Sequence, residues 1–205
     1  MHSKLILWLS AAMLRWMHVD TLPDEAAKAA FAAHYQDVAK DASEVAFDPA
    51  EPPLFSGEHG RMKTAALMLA VAGMEGAYHD KTLGDHSQSA CMMQIHLPGS
   101  SRISLKGDDF AYAAGESASA GADPAPTSYS KADLNADRKA CLRVGLHILR
   151  HSLKVCGKDN LSGYTTGRCS AHEPKAEARL ARAIKLFSPP SAEVPGTDTD
   201  FLPAL

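Results

Sequence analysis

The sequence predicts a mainly α protein built around one globular core. Two long segments, residues 61–76 and 131–156, carry apolar side chains in helical patterns, and helix start and stop signals flank further segments. A length of 205 residues fits one domain, or one domain with extensions. An apolar fraction of 45% and a charged fraction of 22% are typical of a soluble globular chain that buries a core.

The N-terminal segment has two interpretations. Lys4 precedes an apolar stretch, residues 5–14, that has the length of a signal-peptide apolar region. Polar and bulky residues interrupt this stretch, however, and no convincing small-residue cleavage site follows it. Its apolar side chains instead share one helical stripe, formed by Leu5, Trp8, Leu9, Ala12, Met13 and Trp16. We therefore predict a retained amphipathic helix.

A second helix is predicted to start at residues 21–25, which supply a cap, an early proline and acids for the first turn. Its stripe consists of Ala27, Phe31, Tyr35 and Val38. The prolines of residues 48–53 break the chain into a loop. A third helix runs from about Arg61 to Gly76, and residues 79–90 are polar and turn-rich, as in a loop or a short hairpin.

The C-terminal half is predicted to hold two more helices. A long helix spans about residues 131–156 and ends at Gly157. Its apolar face is formed by Leu142, Leu146, Leu149 and Leu153, widened by Cys141, Val144, Ile148 and Val155. Pro174 opens the last helix, whose inward positions are Leu180, Ile184 and Phe187.

Two segments lack packing material of their own. Residues 107–130 are rich in Gly, Ala, Ser, Pro and Asp, so we expect an exposed insertion with Phe110 and Tyr112 anchoring its start. Proline and glycine recur after Ser188, so the end of the chain is expected to be a flexible tail. The predicted organisation is an N-terminal helical extension packed on the core (residues 1–55), a catalytic domain (56–187, with a loop insertion at 106–130) and a tail (188–205).

Charge is spread unevenly along the chain. The net charge is −3, yet residues 138–187 contain eleven Lys or Arg against three acids, a local charge of +8. A basic C-terminal half could face an anionic polymer, although solvated helix faces explain the same pattern. Basic and aromatic residues do not interleave, which argues against nucleic acid as a partner. No apolar stretch reaches the roughly 18 residues of a transmembrane segment.

Four cysteines allow three pairings. Cys156 and Cys169 bracket a short segment with turn glycines, where a bridge is easily formed, and Cys91 with Cys141 would then be the second pair. Disulfides would place the protein outside the reducing cytosol. The alternative is four buried thiols. The cysteine spacing does not support a structural zinc site.

Glu75 is the candidate catalytic residue. It lies in the last turn of the apolar helix 61–76, where loss of water is expected to raise the pKa of its carboxyl group. A carboxylic acid that stays protonated near neutral pH can donate a proton to the leaving oxygen of a glycosidic bond. About twenty residues later comes an apolar and amide-containing turn, residues 89–95 (SACMMQI). Glu75 by itself has a simpler explanation, a surface glutamate at a helix end.

Three segments together resemble one family. Residues 75–78 (EGAY) are similar to the acid, small residue, spacer and aromatic segment of lytic transglycosylases. Residues 89–95 resemble the family's Ser-x-Gly-Leu-Met-Gln-Ile segment, and residues 161–167 (LSGYTTG) resemble its Ala-Tyr-Asn-x-Gly motif. Each motif alone is weak, but order and spacing also agree. The resemblance covers roughly residues 62–187.

The resemblance implies a lysozyme-like fold that cuts the β-1,4 bond between N-acetylmuramic acid and N-acetylglucosamine in peptidoglycan. One glutamate, here Glu75, would protonate the leaving oxygen and then, as carboxylate, assist attack by the muramic 6-hydroxyl, which gives a 1,6-anhydro product. No cofactor is implied. The residues expected to bind substrate are Ser89, Met93, Gln94, Tyr164 and Tyr78, with the Tyr164 hydroxyl orienting Glu75 or the substrate.

The chain departs from the family pattern at three positions. Gly76 replaces the common serine after the glutamate, Cys91 replaces the motif glycine, and Thr165 replaces the asparagine after the tyrosine. These changes put the fine specificity in doubt. They would also fit a non-catalytic wall-binding or virion structural relative that kept the fold.

Other chemistries remain as alternatives. Asp80 or Asp85 could position water, as in a lysozyme-type muramidase with paired acids. His79, His86 and His96 cluster loosely but lack the spacing of metal ligands, so no metal is predicted. A Cys91 nucleophile is less expected than a buried or bridged sulfur.

The expected partners are peptidoglycan strands and, secondarily, other virion or cell-envelope proteins. The expected location is the cell envelope, in the periplasm or outside the cell, or a phage particle.

Overall fold

The computed structural model describes residues 2–57, 59–81, 87–107, 109–113, 127–157, 160–170 and 172–187. Within them the helices are α1 (His2–Trp16), α2 (Glu25–Phe47), α3 (Gly60–Gly76), α4 (Lys131–Ala136), α5 (Arg138–Cys156), α6 (Ser162–Thr166) and α7 (Pro174–Phe187). The strands are β1 (Ser89–Ala90), β2 (Ile95–His96), β3 (Arg102–Lys106), β4 (Asp109–Ala113) and β5 (Ser128–Tyr129). The prediction of a mainly α protein is confirmed. The tail, residues 188–205, lies outside the described residues.

The first two helices pack on each other and on the rest of the core. The predicted stripe of α1 is buried except at Trp16, which is partly buried, and Leu9 and Met13 are fully enclosed against α2 and α3. Asp24 caps α2 by accepting a hydrogen bond from the backbone N–H of Ala26 at 2.8 Å, which satisfies one free donor of the first turn. Among the described residues, no helix is both long enough and apolar enough to cross a membrane.

Helix α3 is the centre of the core. Its side chains from Thr64 to Ala72 are buried, and it packs against α1, α2, α5 and α7. The Thr64 hydroxyl donates to the Gly60 carbonyl at 2.8 Å and accepts the backbone N–H of Leu54 at 2.9 Å. These bonds attach the incoming loop to the first turn of α3. A helix enclosed in this way gives its last turn, which carries Glu75, a fixed position.

The segment expected to be an exposed insertion begins as a β-hairpin. Strands β3 and β4 pair in antiparallel fashion, with Ile103 opposite Tyr112 and Leu105 opposite Phe110, and β5 pairs with the other edge of β3. Residues 109–113 and 128–129 are therefore strand residues, while residues 114–126 lie outside the described part of the chain. The anchoring role expected for Phe110 agrees with its partial burial against the core.

The long helix expected at residues 131–156 is two helices. Asp137 separates α4 from α5 with an extended backbone (φ −125°, ψ 105°), and its side chain accepts a hydrogen bond from the Ala140 N–H at 3.1 Å. The sequence pattern misses the break because Asp137 is polar and both flanking segments favour helix. An aspartate N-cap competes with helix continuation, since its side chain satisfies the donors of the next helix.

Two residues expected to face inward are exposed. Val155 (60% exposed) lies in the last turn of α5, beyond the neighbours that cover the earlier turns. Ile184 (53% exposed) lies beside the inward stripe of α7. That stripe consists of Ala176, Arg179, Leu180 and Ala183. The inward prediction therefore holds for Leu180 and is wrong for Ile184, because α7 turns Arg179 rather than Ile184 toward the core.

Both expected disulfides are present, Cys91–Cys141 and Cys156–Cys169. The first joins the turn between β1 and β2 to α5. The second closes the segment that contains α6 onto the end of α5. These covalent links hold two of the three motif segments against the same helix.

Candidate active site

Glu75 ends the buried helix α3 at the edge of a groove. Its side chain is 20% exposed, so the carboxyl group is mostly enclosed but still reaches the groove surface. The chain then reverses direction through two residues with left-handed backbone, Ala77 (φ 46°) and Tyr78 (φ 63°). Such backbone in non-glycine residues is uncommon and costs free energy unless the surrounding structure imposes it.

The buried side chain of Tyr78 holds this turn in place. Its side chain is fully buried and meets the ring of Tyr35 edge-on, with the centroids 5.2 Å apart. Gly73 makes the space, because a Cβ there would lie 2.5 Å from the Tyr78 hydroxyl oxygen. The Nε2 of His34 donates to the Tyr78 carbonyl at 2.8 Å. Tyr78 was expected to bind substrate, but its burial makes it a support for the Glu75 turn.

The second motif forms a tight turn between β1 and β2. Cys91 (φ 57°) and Gln94 (φ 47°) both adopt left-handed backbone, so this turn is also conformationally demanding. The N–H of Cys91 donates to the Asn135 side-chain oxygen at 2.8 Å, and the Gln94 amide donates back to the Cys91 carbonyl at 2.9 Å. The Cys91–Cys141 bridge fixes the same turn to α5.

The structure accommodates Gly76 and Cys91, two of the positions where the chain departs from the family pattern. A Cβ on Gly76 would lie 2.8 Å from both the Cα and the carbonyl oxygen of Met92, so a serine cannot be accommodated without a backbone shift. The close backbone approach is thus provided by the residue after Glu75. Cys91 still takes the left-handed backbone of a glycine, and its side chain is turned into a disulfide.

Met93 lies below the groove. It was expected to line the sugar cleft, but its side chain is fully buried and packs against Gly145, where a Cβ would lie 2.5 Å from the Met93 methyl carbon. Its carbonyl oxygen instead accepts a hydrogen bond from the Tyr164 hydroxyl. Met93 therefore connects the second motif to the third through its backbone.

Tyr164 is in α6, within the third motif. Its backbone N–H donates to the Ser152 hydroxyl at 3.1 Å, which attaches α6 to α5. Burial raises the pKa of the Tyr164 hydroxyl, and the nearby Tyr112 raises it further, so the group stays protonated as a donor. Because that donor is used by Met93, the hydroxyl is not directed at Glu75 as expected. The ring contributes in another way, as a surface for Arg179.

Arg179 is the site residue that the sequence analysis missed. It comes from the middle of α7, its side chain is 5% exposed, and its Nη2 forms an ion pair with Glu75. The guanidinium also lies over the ring of Tyr164, with its central carbon 5.9 Å from the ring centroid. Its Nε and Nη1 are buried and have no hydrogen-bond partner among the described residues. An arginine at an inward position of an amphipathic helix was the signal that could have revealed it.

Electrostatics at Glu75 has two opposing parts. Enclosure removes water from the carboxyl group and favours the neutral acid, whereas the guanidinium of Arg179 favours the carboxylate. Burial lowers the pKa of Arg179 to about 10, which still leaves the guanidinium charged at neutral pH. The site thus holds one mostly enclosed carboxyl group, that of Glu75, paired with the cation of Arg179.

The groove has a volume of about 880 Å³ and collects all three motif segments. Residues expected at the site that line it are Glu75, Ser89, Gln94 and Tyr164. Further lining residues include His96, Phe110, Tyr112, His151, Thr165 and Lys175. In the parts of the chain that the structure describes, Glu75 is the one carboxylate among the residues that line this groove.

Asp80, one of the two alternative aspartates, is not among the residues that line the groove. Asp80 forms a bidentate ion pair with Arg138, in which Nε and Nη2 of the arginine donate to the two carboxylate oxygens at 2.7 and 2.8 Å. Asp85 lies outside the described residues. Hydrogen bonds from Arg138, opposed by burial, hold the pKa of Asp80 below its usual range. The described side chains include no group of three or more His, Cys, Asp or Glu arranged to hold a metal ion. Cys91 is bridged, so its sulfur is not a nucleophile here.

Comparison with protein-family models, with curated proteins and with solved structures finds no match to this chain. The resemblance to lytic transglycosylases therefore depends on the three motif segments quoted above.

Proposed function

We propose that this protein is a peptidoglycan-cleaving lytic transglycosylase with a lysozyme-like catalytic domain. The observation that carries the proposal is the meeting of the three motif segments, far apart in sequence, at one groove beside a mostly enclosed Glu75. A groove of this volume can hold a segment of a sugar chain, and a carboxyl group held partly out of water is suited to proton transfer. The bond cleaved is the β-1,4 link from N-acetylmuramic acid to N-acetylglucosamine.

The proposed reaction needs one proton carrier. Glu75 as the neutral acid gives its proton to the bridging oxygen as the bond to the muramic C1 breaks. Glu75 as carboxylate then takes the proton from the muramic 6-hydroxyl while that oxygen bonds to C1, which closes the 1,6-anhydro ring and restores the acid. Between the two steps Arg179 stabilises the carboxylate form of Glu75, because its guanidinium forms an ion pair with that carboxylate.

The muramidase alternative replaces the 6-hydroxyl by water and gives reducing ends. It requires a second group to position that water, commonly a second carboxylate. Asp80 is engaged by Arg138 and does not line the groove, which favours the transglycosylase. A non-catalytic wall-binding relative is the other alternative, and it is favoured by the departures at Gly76 and Thr165. The two disulfides suit an oxidising location such as the cell envelope or a virion.

The experiment is a turbidity assay on purified peptidoglycan with wild type and Glu75→Gln. The amide has nearly the same shape as the carboxyl but cannot carry a proton, so clearing is expected to fall by about 10²–10⁴-fold. The matched control is Glu177→Gln, an exposed position on α7, which is expected to clear like wild type. Circular dichroism establishes that both variants are folded. Equal clearing by Glu75→Gln and wild type would refute the assignment.

A further inference from the structure

The β3–β4 hairpin supplies two aromatic side chains to the groove. Phe110 and Tyr112 are two residues apart on β4, so they lie on the same face of the strand. Both line the groove that contains Glu75. The anchoring role expected from sequence accounts for Phe110, which is partly buried against the core, but not for Tyr112, which is 53% exposed.

Neighbouring rings fix the orientation of Tyr112. The rings of Phe110 and Tyr112 meet edge to face, with centroids 5.5 Å apart and planes at 82°. Phe110 meets the ring of His151 in the same manner at 5.3 Å, and Nδ1 of His151 pairs with Asp109 at 3.3 Å. Edge-to-face aromatic contacts are favourable and directional. Tyr112 is therefore the outermost ring of a supported cluster, with little conformational freedom to lose when a ligand binds.

The surroundings of Tyr112 indicate the chemistry of the ligand. The same groove is also lined by His96, Ser101, Gln94 and Thr165, so it offers hydrogen-bonding groups as well as aromatic rings. Among the described residues, the Lys and Arg side chains that line the groove are Lys175 and Arg179, both on α7, and Arg179 is already paired with Glu75. An apolar ring face bordered by polar groups matches a neutral pyranose, which has a C–H face and hydroxyl edges. A lipid chain would require a continuous apolar lining.

The aromatic cluster is next to the catalytic centre. Tyr112 is close enough to Tyr164 to add to the rise in the pKa of the Tyr164 hydroxyl, after the larger effect of burial. The ring of Tyr164 in turn lies under Arg179, and Arg179 pairs with Glu75. Tyr112, Tyr164, Arg179 and Glu75 therefore form a continuous series of neighbours along one groove.

We infer that Tyr112, supported by Phe110 and His151, is a sugar-binding subsite that packs against the ring face of a neutral N-acetylhexosamine. The identification of the glycan rests on the proposed function, whereas the stacking interaction itself requires no catalysis. Tyr112 is expected to bind the ground state and the transition state of the substrate equally well. Its loss should therefore weaken substrate binding and raise KM with little change in kcat.

The test is calorimetric titration of the full chain with an N-acetylglucosamine tetramer, in the Glu75→Gln background so that no cleavage occurs. Tyr112→Ala is expected to weaken binding on the order of tenfold, as for loss of one stacking platform. Tyr112→Phe keeps the ring and should stay within about twofold of the parent. Val155→Ala, an exposed apolar position outside the groove lining, is the matched control and should bind unchanged.

The outcomes separate the subsite from the proposed reaction. Equal binding by Tyr112→Ala and its parent, equal losses in Tyr112→Ala and Tyr112→Phe, or no binding of the tetramer by the parent would each overturn the subsite. Ring-dependent binding by a protein that releases no wall fragments would retain the subsite and refute the proposed function. Wall cleavage by a protein whose tetramer binding does not depend on the Tyr112 ring would refute the subsite and retain the proposed function.

Discussion

The carboxylate of Glu75 and the guanidinium of Arg179 form an ion pair that joins the end of α3 to the middle of α7. The pair is enclosed, since Arg179 is almost fully buried and Glu75 is mostly covered. A general acid must be protonated when substrate binds, and this cation opposes protonation. The rate of the proposed reaction is therefore expected to rise as pH falls from neutrality, until other groups titrate or the protein unfolds.

Arg179 is predicted to set the pH range of activity. Arg179→Met removes the charge that opposes protonation of Glu75, so activity should persist to higher pH than in wild type. Arg179→Lys retains a cation and should stay closer to wild type. The measurement is wall clearing as a function of pH. Arg182→Met, on the same helix but stacked over Trp16, is the matched control. A rate that falls equally at all pH values would mean that Arg179 has a structural role only.

Asp80 is predicted to stabilise the fold without taking part in cleavage. Asp80→Asn should lower the free energy of unfolding by roughly 1–3 kcal/mol, because Arg138 loses a charged partner, while wall clearing by the folded protein persists. Glu44→Gln, at the more exposed Lys139 pair, is the control and should change stability by under about 1 kcal/mol. Urea unfolding and clearing assays measure the two effects. Loss of clearing in folded Asp80→Asn would revive the paired-acid mechanism.

The same ion pair makes stability depend on pH. The pKa of Asp80 is lowered in the folded protein, mainly by hydrogen bonds from Arg138, so its stabilisation is complete above the ordinary carboxyl value of about 4. That stabilisation is lost as pH falls through the lower, folded value. Wild type should therefore lose more stability than Asp80→Asn between about pH 4 and pH 2. Parallel pH dependence in both proteins would show that the pair contributes nothing.

Much of the fold could be predicted because its signals are local. The stripe of α1, the start of α2 at residues 21–25 and the proline that starts α7 depend on neighbouring residues, and all three agree with the structure. The cysteine pairing was also predicted, since a bridge from Cys156 to Cys169 closes a short loop and leaves one other pair. The strand pairing of β3 with β5 depends on residues about 25 positions apart, and local patterns do not encode it.

The site could be predicted only in part. Glu75, Ser89, Gln94 and Tyr164 reach the groove, while Tyr78 and Met93 are turned into the core. Motif positions specify residue types, but the packing around Gly73 and Gly145 decides which side chains are covered. Arg179 was missed for a related reason, because its partner lies about one hundred residues earlier in the chain.

Gly76 is predicted to be irreplaceable, although the family pattern has serine there. Gly76→Ser should lower the free energy of unfolding by about 1–3 kcal/mol, because its Cβ would meet the Met92 backbone at 2.8 Å. The neighbouring Ala77→Ser, where a Cβ already exists, should change it by about 0.5 kcal/mol or less. Thermal unfolding measures both. Unchanged stability together with increased clearing in Gly76→Ser would contradict this prediction. It would indicate that position 76 can hold the serine of the family pattern and that the chain merely lacks it.

The Cys156–Cys169 bridge is predicted to stabilise the segment that presents Tyr164. The double variant Cys156→Ser, Cys169→Ser should lose about 2–4 kcal/mol of stability, because the unfolded chain regains the freedom that the bridge removes. Thermal unfolding of this variant and wild type, each with and without reductant, provides the measurement. Reductant should lower the melting temperature of wild type more than that of the variant. Identical melting of the two oxidised proteins would contradict the prediction.

Mass spectrometry of fragments released from purified peptidoglycan tests the central claim most directly. Wild type is predicted to release muropeptides that end in 1,6-anhydro-N-acetylmuramic acid, and folded Glu75→Gln is predicted to release almost none. Fragments with reducing ends would replace the transglycosylase by a muramidase. Failure of wild type to release any fragment, or equal release by Glu75→Gln, would contradict the assignment of Glu75 as the acid and base.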